Sequence, residues 1–296
     1  MVASLAATRS DAGPMAKAST TLLLTAGALL GFAANSLLCR KALAAREIDP
    51  ASFTAIRIGS GAIALSLLVA LARTSRGAPR AGGWAGAFAL FAYAILFSLA
   101  YLHVHAGTGA LILFGAVQMT MLAAALARGE RLAVPQWCGW ALALLGLYGL
   151  SWRRSATAEP LAALSMAAAG VAWGAYTLLG RGSKAPLAAT CGNFRRAVPL
   201  AIVALAVAWP WSGLHASARG IGLACVSGAL TSGVGYALWY AALRGLRTTQ
   251  AAFLQLLVPV LAALLAVPLL GEPVTLALCL WGSLILGGVA LALRRV

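Results

Sequence analysis

The sequence predicts an all-α membrane protein with ten transmembrane helices, arranged as two inverted five-helix repeats with both termini in the cytoplasm. Two observations predict this class. Of the 296 residues, 62% are hydrophobic and only 9% are charged, whereas a soluble domain carries about a quarter charged residues. The apolar residues also form continuous segments of about 20 residues, the length that an α-helix needs to cross the hydrocarbon core of a bilayer.

Ten apolar segments are separated by short loops. Each is predicted as a helix because a backbone in lipid must satisfy its own hydrogen bonds, and because these runs lack the alternation of a membrane β-barrel. The predicted spans, numbered one to ten along the chain, are residues 18–39, 51–73, 83–103, 107–127, 134–152, 161–180, 187–210, 218–242, 248–269 and 274–293.

Lysine and arginine residues predict the orientation. If the N-terminus is cytoplasmic, 13 of them fall in cytoplasmic segments, 6 fall in outer loops, and 3 (Arg57, Arg195 and Arg196) fall within spans. Cytoplasmic loops are typically rich in Lys and Arg, so both termini are expected in the cytoplasm. The expected location is the inner (cytoplasmic) membrane of the cell. Residues 1–17 show no apolar core with a cleavage site and are interpreted as a cytoplasmic tail.

Several classes of function are not expected. The net charge of +16 comes from basic clusters between apolar runs, so we expect no nucleic-acid partner. The five cysteines are scattered without C-x-x-C spacing, so we expect no metal and no other cofactor. No hydrolase, metalloprotease or phosphate-loop motif occurs, and the three lysines lie outside span centres, where none could hold retinal. An enzyme is therefore not predicted.

An offset of 141 residues aligns the second half of the chain with the first. The matching pairs include Phe32 and Trp173, Arg40 and Arg181, Thr108 and Thr249, Cys138 and Cys279, Trp140 and Trp281, and Gly146 and Gly287. The chain is therefore divided into residues 18–152 and 153–296, with five spans in each. Because five is odd, the second unit enters the membrane from the opposite side. Inverted repeats of this kind are common in secondary transporters, which bind substrate near the midplane and work by alternating access.

Pro259 lies near the middle of the ninth span. Proline removes a backbone donor, but neighbouring helices can satisfy the carbonyl that is left free. A kink at Pro259 would open space near the midplane, and a kink that serves only packing is the alternative.

Two long phrases end the two repeats in a similar way: "MTMLAAALARGERLAVPQWCGWALALLGLYGL" at 119–150 and "PVLAALLAVPLLGEPVTLALCLWGSLILGGVAL" at 259–291. Both resemble the end of an EamA domain, and the tandem arrangement resembles the drug/metabolite transporter superfamily. A narrower resemblance, to amino-acid exporters of that superfamily, rests on "AYAILFSLAYLHVHAG", "AWGAYTLLGR" and "GYALWYAALRG". It implies a carrier that exports amino acids or related small metabolites, with aromatic residues around its cavity.

Aromatic and neutral polar residues at span centres are the candidate substrate-binding residues. Tyr93, Phe97 and Tyr101 follow one another at steps of four and should share one helix face. Aromatic rings can line a cavity for organic solutes, although they also fill protein cores. Neutral polar residues inside a bundle are often functional, or they tie helices together. The candidates are Phe32, Asn35, Tyr93, Phe97, Tyr101, Phe114, Gln118, Trp173, Tyr176, Tyr236, Trp239, Tyr240 and Gln255.

All six acidic residues fall in tails or loops. Proton-coupled carriers generally need a titratable group at a span centre, so facilitated transport is predicted, with His103 and His105 as residues of the outer mouth. Arg57, Arg195 and Arg196 are expected to extend to the membrane surface, and the alternative is that one of them gates the cavity or meets a substrate carboxylate.

Other functions stay open. A multidrug exporter of lipophilic cations would need an anionic group in the cavity. A membrane enzyme is less compatible with the sequence because no catalytic motif occurs. A channel is also less compatible, because channels are usually rings of subunits and this chain contains two internal repeats. The expected partners are a small-molecule substrate and the lipid bilayer, and a monomer is compatible with the sequence.

Overall fold

The computed structural model of the chain describes residues 14–72, 81–104, 106–151, 159–270 and 274–294. Within these ranges the regular structure is helical, apart from a single β-bridge between Ile48 and Ala216. The helices are α1 (Pro14–Ala44), α2 (Pro50–Leu71), α3 (Trp84–Ala100), α4 (Ala106–Ala127), α5 (Val134–Ser151), α6 (Pro160–Gly180), α7 (Pro186–Ser212), α8 (Ala218–Val226), a π-helical segment (Ser227–Val234), α9 (Gly235–Leu243), α10 (Thr248–Gln255), α11 (Val258–Leu270) and α12 (Leu276–Leu293).

The helices correspond to the ten predicted spans, with small shifts at their ends. In the described part of the chain, eight helical stretches are long and apolar enough to cross a membrane. Two further predicted spans correspond to α3, which has 17 residues, and to α5, which has 18. The first helix begins at Pro14, four residues before the predicted start. Four helices begin at a proline, which suits the first helical turn because its fixed φ is helical and its missing N–H has no partner there.

Two of the predicted spans are not regular α-helices. The eighth continues from α8 through the π-helical segment into α9. The ninth is broken between α10 and α11, where the N–H groups of Leu256 and Leu257 donate to Phe253 and Leu254 instead of to carbonyls four residues back. Pro259 lies at the second position of α11, where a missing N–H costs least. The predicted kink at Pro259 is therefore present as a break just before the proline.

Equivalent helices of the two repeats pack on each other in antiparallel directions. In the pair α5 and α12, a Cβ atom added to Gly139 would lie 2.5 Å from the carbonyl of Gly288, and Gly149 lies against the ring of Trp281. As the residue number rises along α5, it falls along α12. The glycines let the two backbones touch, as small residues do in membrane helix pairs.

The pair α2 and α7 shows the same arrangement. Gly61 lies against the ring of Phe194, and Ser66 approaches Cys191 at 3.6 Å. An antiparallel contact between equivalent helices is what an inverted pair of repeats requires.

The loops fall into two groups at opposite ends of the bundle. At one end, Glu130 accepts hydrogen bonds from the N–H groups of Thr248 and Thr249 at 3.3 Å, and Arg181 donates to the Thr248 hydroxyl. Partial burial raises the pKa of the Glu130 carboxyl, but the hydrogen bonds from the two threonines outweigh burial and hold this pKa below its usual value. Glu130 and Arg181 belong to loops that were predicted for the cytoplasmic side, and the two threonines begin the ninth span directly after another such loop.

The other end joins loops that were predicted for the outer side. His103 lies 3.5 Å from Glu159, and both side chains are exposed. Glu47 accepts a hydrogen bond from Ser217 at 2.5 Å and pairs with Arg219 at 3.4 Å. The two groups of loops therefore separate in the way that the predicted topology requires.

Large apolar side chains cover the outside of the bundle. Examples are Leu71, Leu161 and Leu276, which are 74–79% exposed. A set of aromatic and polar side chains, among them Tyr93, Trp173, Tyr236 and Asn35, is instead buried inside the bundle. This distribution suits a protein whose surroundings are lipid, since such a surface would be unfavourable in water.

Candidate functional site

A cavity lies between the two repeats, near the middle of the bundle. Its walls are Phe32, Ser36, Tyr93, Leu113, Phe114, Trp173 and Tyr236. These residues come from α1, α3 and α4 of the first repeat and from α6 and α9 of the second. The empty volume is about 290 Å³ including space open to the outside, and the enclosed part has room for little more than a water molecule. The cavity must therefore widen before it can hold an organic solute.

The cavity is part of a continuous aromatic cluster. Trp173 lies at its centre, with ring centroids 5.0 Å from both Phe32 and Tyr93 and 4.7 Å from Tyr236. The predicted face of α3 is also present, since the Tyr93 and Phe97 rings lie 5.2 Å apart and the Phe97 and Tyr101 rings 4.6 Å apart. Tilted and edge-on contacts of this kind stabilise aromatic pairs beyond the area that they bury.

Arg57 lies beside this cluster and is 1% exposed. The expectation that Arg57 extends to the membrane surface is therefore wrong. Its Nε atom donates to the Ser232 hydroxyl at 2.8 Å, and its Nη2 atom donates to the hydroxyls of Tyr236 at 2.6 Å and Tyr93 at 3.4 Å. The guanidinium also lies 5.3 Å from the centre of the Tyr93 ring and 5.9 Å from that of Phe97.

The partners of Arg57 are all neutral. None of the acidic residues in the described ranges pairs with it, and its Nη1 atom has no hydrogen-bond partner there. Moving an ion out of water costs several kcal/mol even after relaxation. Hydrogen bonds to a charged group return about 1.5–3 kcal/mol each, and a desolvated cation–π contact about 2 kcal/mol. The existing contacts can hold the charge in place, but they leave one donor and the net positive charge uncompensated.

The π-helical segment supplies a polar network next to Arg57. The hydroxyls of Ser227, Thr231 and Ser232 approach Asn35 Oδ1 at 2.7, 3.3 and 3.3 Å. Asn35 also donates to the Tyr93 hydroxyl at 3.5 Å. The stretch "SGALTSGVG", residues 227–235, therefore supplies hydroxyl groups to this network in addition to glycines that let helices pack closely. The wider π-helical turn brings three hydroxyls to one side, and π-helical turns are frequent at functional sites.

The two predicted glutamines support the broken helix behind the cavity. Gln118 Nε2 donates to the carbonyl of Ala252 at 2.5 Å. That carbonyl lacks its usual helical partner because the N–H of Leu256 donates to Phe253. Gln255 Oε1 accepts a hydrogen bond from the Trp173 indole at 2.6 Å and so fixes the ring that forms the cavity wall.

A second layer of aromatic residues separates the cavity from the end of the bundle that carries Glu130. Tyr240 donates to the carbonyl of Tyr176 at 3.0 Å, and Asn193 donates to the Tyr240 hydroxyl at 3.4 Å. Trp239 donates to the Thr177 hydroxyl at 3.3 Å. The ring of Tyr240 lies against Gly180, where any larger residue would collide with it. This layer closes the bundle on the side predicted to be cytoplasmic.

The structure thus brings the candidate residues together, but with different placements. Five of them line the cavity: Phe32, Tyr93, Phe114, Trp173 and Tyr236. The other eight lie behind the wall or in the second layer: Asn35, Phe97, Tyr101, Gln118, Tyr176, Trp239, Tyr240 and Gln255. Sequence analysis did not select Ser36, Leu113 or Ser232, and it named Arg57 only in an alternative. A charged residue seven positions inside an apolar span was the available signal for Arg57.

The remaining expectations concern residues near the ends of the bundle. His103 is exposed, as expected of a residue at a mouth, and His105 lies outside the described residues. Arg195 is exposed, and Arg196 donates to the carbonyls of Gly192 and Ala81. Both are compatible with extension toward the membrane surface. Over the part of the chain that the structure describes, no group of three or more potential metal ligands occurs.

Comparison with known proteins assigns the family. The model of the EamA-like transporter family matches the chain twice, over residues 19–152 and 160–294. The chain is 53% identical over 274 residues to the uncharacterized protein PA1977 of Pseudomonas aeruginosa, and the match covers 92% of this chain and 94% of that protein.

A protein chain of known crystal structure superimposes on this one with a TM-score of 0.77. The two are 21% identical, and the match covers 94% of this chain and 99% of the other. At this identity the likeness shows a shared fold. The two family matches together span most of the sequence, and the chain therefore belongs to the EamA-like transporter family, as a multi-pass membrane transporter with two EamA domains.

Proposed function

We propose that this transporter is an inner-membrane carrier that exports amino acids or related small metabolites by facilitated transport. The observation that carries the proposal is the cavity between the two repeats, with aromatic walls and neutral polar groups. Rings accept the apolar side chains of such solutes, and the hydroxyl groups of Ser36, Tyr93 and Tyr236 can orient a polar end.

Alternating access is part of the proposal. Both repeats contribute walls to the cavity, so a rotation of one repeat against the other would open it to one side and close it to the other. The antiparallel contacts of α2 with α7 and of α5 with α12 support a two-fold relation of the repeats in the membrane plane. We therefore retain ten spans with both termini in the cytoplasm, and a monomer as the simplest working unit.

Facilitated transport is proposed because no acidic side chain of the described ranges lies beside the cavity. Glu47, Asp49, Glu130 and Glu159 all lie at the ends of the bundle. Tyrosine and arginine do not change their ordinary charge between pH 5 and 8. The cavity therefore offers no group that would load and release a proton during each cycle.

Uptake by proteoliposomes tests the proposal. Purified protein is reconstituted and supplied with labelled leucine, phenylalanine and threonine, and protein-free liposomes serve as the control. Saturable uptake that is the same with and without an imposed pH gradient is the expected result. Absence of uptake for all three would contradict amino-acid transport, and strict dependence on the gradient would contradict the facilitated mechanism.

Export of lipophilic cations is the second candidate. The buried charge beside the cavity is the positive charge of Arg57, which repels such compounds. Uptake of ethidium by the same proteoliposomes, in the absence of amino-acid uptake, would favour this candidate instead.

A further inference from the structure

Arg57 lies directly behind two tyrosines of the cavity wall. Its Nη2 atom donates to the hydroxyl oxygens of Tyr236, at 2.6 Å, and Tyr93, at 3.4 Å. Both tyrosines line the cavity. The guanidinium therefore reaches the cavity through two phenol groups, and an Arg side chain keeps its charge under any physiological condition.

These hydrogen bonds decide what the phenols can offer to a solute. A phenol oxygen has two lone pairs and one hydrogen. The oxygen of Tyr93 accepts from Arg57 and from Asn35, so both of its lone pairs are used and it can only donate further. The oxygen of Tyr236 accepts from Arg57. A phenol oxygen that accepts from Arg57 keeps its own hydrogen for donation to a further acceptor.

The site therefore presents O–H donors in front of a buried cation. The Nη1 atom of Arg57 is a further donor without a partner in the described ranges. Donors combined with one uncompensated positive charge select an anion, and a planar guanidinium matches the geometry of a carboxylate. A phosphate dianion would bring two charges against one cation. Four of the five other wall residues are apolar or aromatic and suit an apolar group next to the carboxylate: Phe32, Leu113, Phe114 and Trp173.

We infer that Arg57, Tyr93 and Tyr236 form a carboxylate subsite, in which the two phenols and the guanidinium hold the carboxylate of an organic acid or amino acid. The inference rests on the proposed function, since it names the group by which the transported solutes are recognised. It also accounts for a buried charge that has no acidic partner in the described part of the protein. A purely structural role of Arg57, as a tie between α2 and the π-helical segment, is the competing explanation.

Matched ligands separate the two explanations. Binding of phenylalanine, 3-phenylpropionate and phenylalaninamide to the purified full-length protein is measured by calorimetry. The first two carry a carboxylate, and the third carries a neutral amide in its place. We expect both acids to bind about tenfold or more tightly than the amide, the effect of one charge-assisted contact. Equal binding of acid and amide, or no binding of any of the three, would overturn the inference.

Two variants and a control assign the effect to this site. Arg57→Gln and Tyr236→Phe should remove most of the preference for the acids, whereas Arg195→Gln, at an exposed arginine of α7, should keep it. If Arg57→Gln does not fold, Tyr236→Phe decides, because it keeps the ring and the cation. Retention of the full preference in Tyr236→Phe would contradict the subsite.

The binding assay also distinguishes the inference from the proposed function. If 3-phenylpropionate binds through Arg57 but proteoliposomes transport no amino acid, the carboxylate subsite stands and the assignment of amino acids fails. If amino acids are transported but the amide competes as well as the acid, the assignment of amino acids stands and the carboxylate subsite fails.

Discussion

The ring of Phe32 packs edge-on against the indole of Trp173, with centroids 5.0 Å apart and ring planes at 84°. The two residues are 141 positions apart and occupy the same place in the two sequence repeats. Equivalent residues of two symmetric units touch only near the axis that relates the units. The contact therefore places the centre of the cavity close to the axis that relates the two repeats. Any rotation of one repeat against the other must rearrange this pair.

Trp173→Ala should weaken substrate binding without preventing expression. The substitution removes the central ring of the cavity wall and the hydrogen bond to Gln255. We expect the KM of amino-acid uptake to rise about tenfold, since removal of a buried aromatic contact of about 1.5 kcal/mol corresponds to that factor. Trp84→Ala, at a ring that is 54% exposed, is the control and should leave the KM unchanged. An unchanged KM in Trp173→Ala would show that the aromatic cluster serves packing and does not bind the substrate.

Gln118→Leu should destabilise the broken ninth span. The variant leaves the carbonyl of Ala252 without its side-chain donor, which costs about 1 kcal/mol for a polar contact in a membrane bundle. Thermal unfolding in detergent measures the loss. Met119→Leu, on the exposed face of the same helix, is the control and should have little effect.

A double-mutant cycle with Pro259 tests the cause of that loss. In a Pro259→Ala background the helix can continue, and the N–H of Leu256 can return to the carbonyl of Ala252. Gln118→Leu should then cost less than it does in the wild-type chain, so the two changes should not be additive. Strict additivity would show that Gln118 acts independently of the break.

The contribution of Glu130 to stability should depend on pH. Its pKa lies below the usual value of 4.5 in the folded protein because hydrogen bonds from Thr248 and Thr249 outweigh partial burial. A lowered pKa means that the unfolded chain binds the proton more tightly, so the stabilisation is present above pH 4.5 and is lost as the pH falls through the lowered pKa.

The comparison of Glu130→Gln with the wild type checks this sign. The variant should be less stable at pH 7, and the difference should shrink at pH values below the usual pKa of 4.5. Glu159→Gln, at an exposed carboxylate, should change the free energy of unfolding by less than about 1 kcal/mol at either pH. If the stability difference between Glu130→Gln and the wild type grows on acidification, the pKa of Glu130 is not lowered by folding.

Two neighbouring glycines of α12 should differ in their tolerance of alanine. A Cβ atom at Gly288 would lie 2.6 Å from the Gly139 carbonyl and from the Ala143 nitrogen, whereas a Cβ atom at Gly287 meets nothing within 4 Å. Gly288→Ala should therefore cost about 1–3 kcal/mol of stability through overpacking of α5 on α12. Gly287→Ala should be neutral. Equal stability of the two variants would show that these helices do not touch as described.

Cysteine labelling tests the orientation. Single cysteines are placed at exposed positions of a variant that lacks the five native cysteines. In right-side-out vesicles, a membrane-impermeant maleimide should label His103→Cys and Glu159→Cys. It should label Arg128→Cys and Arg244→Cys only after permeabilisation. Labelling of all four positions from one side would contradict the arrangement of the loops.

The sequence by itself determined the class of protein and its division into two units. Apolar runs of membrane length can be read directly from the order of the residues, because a helix in lipid must be apolar along its whole outer face. The offset that pairs Phe32 with Trp173 predicted two units of five spans, and an odd number of spans predicts that the units are inverted. The aromatic spacing on α3 also placed Tyr93, Phe97 and Tyr101 on one face, because the helical period is a local property.

Only the tertiary structure decided how the polar groups are used. Two of the three hydrogen-bond partners of Arg57, Ser232 and Tyr236, lie 175 and 179 residues away, and the partner of Gln118 is a carbonyl 134 residues away. The position of Arg57 within its own span predicts that the side chain can extend to the membrane surface. The second repeat packs over α2, however, and encloses the side chain. Burial and hydrogen-bond pairing are set by contacts between the repeats, and these contacts exist only once both units have folded against each other.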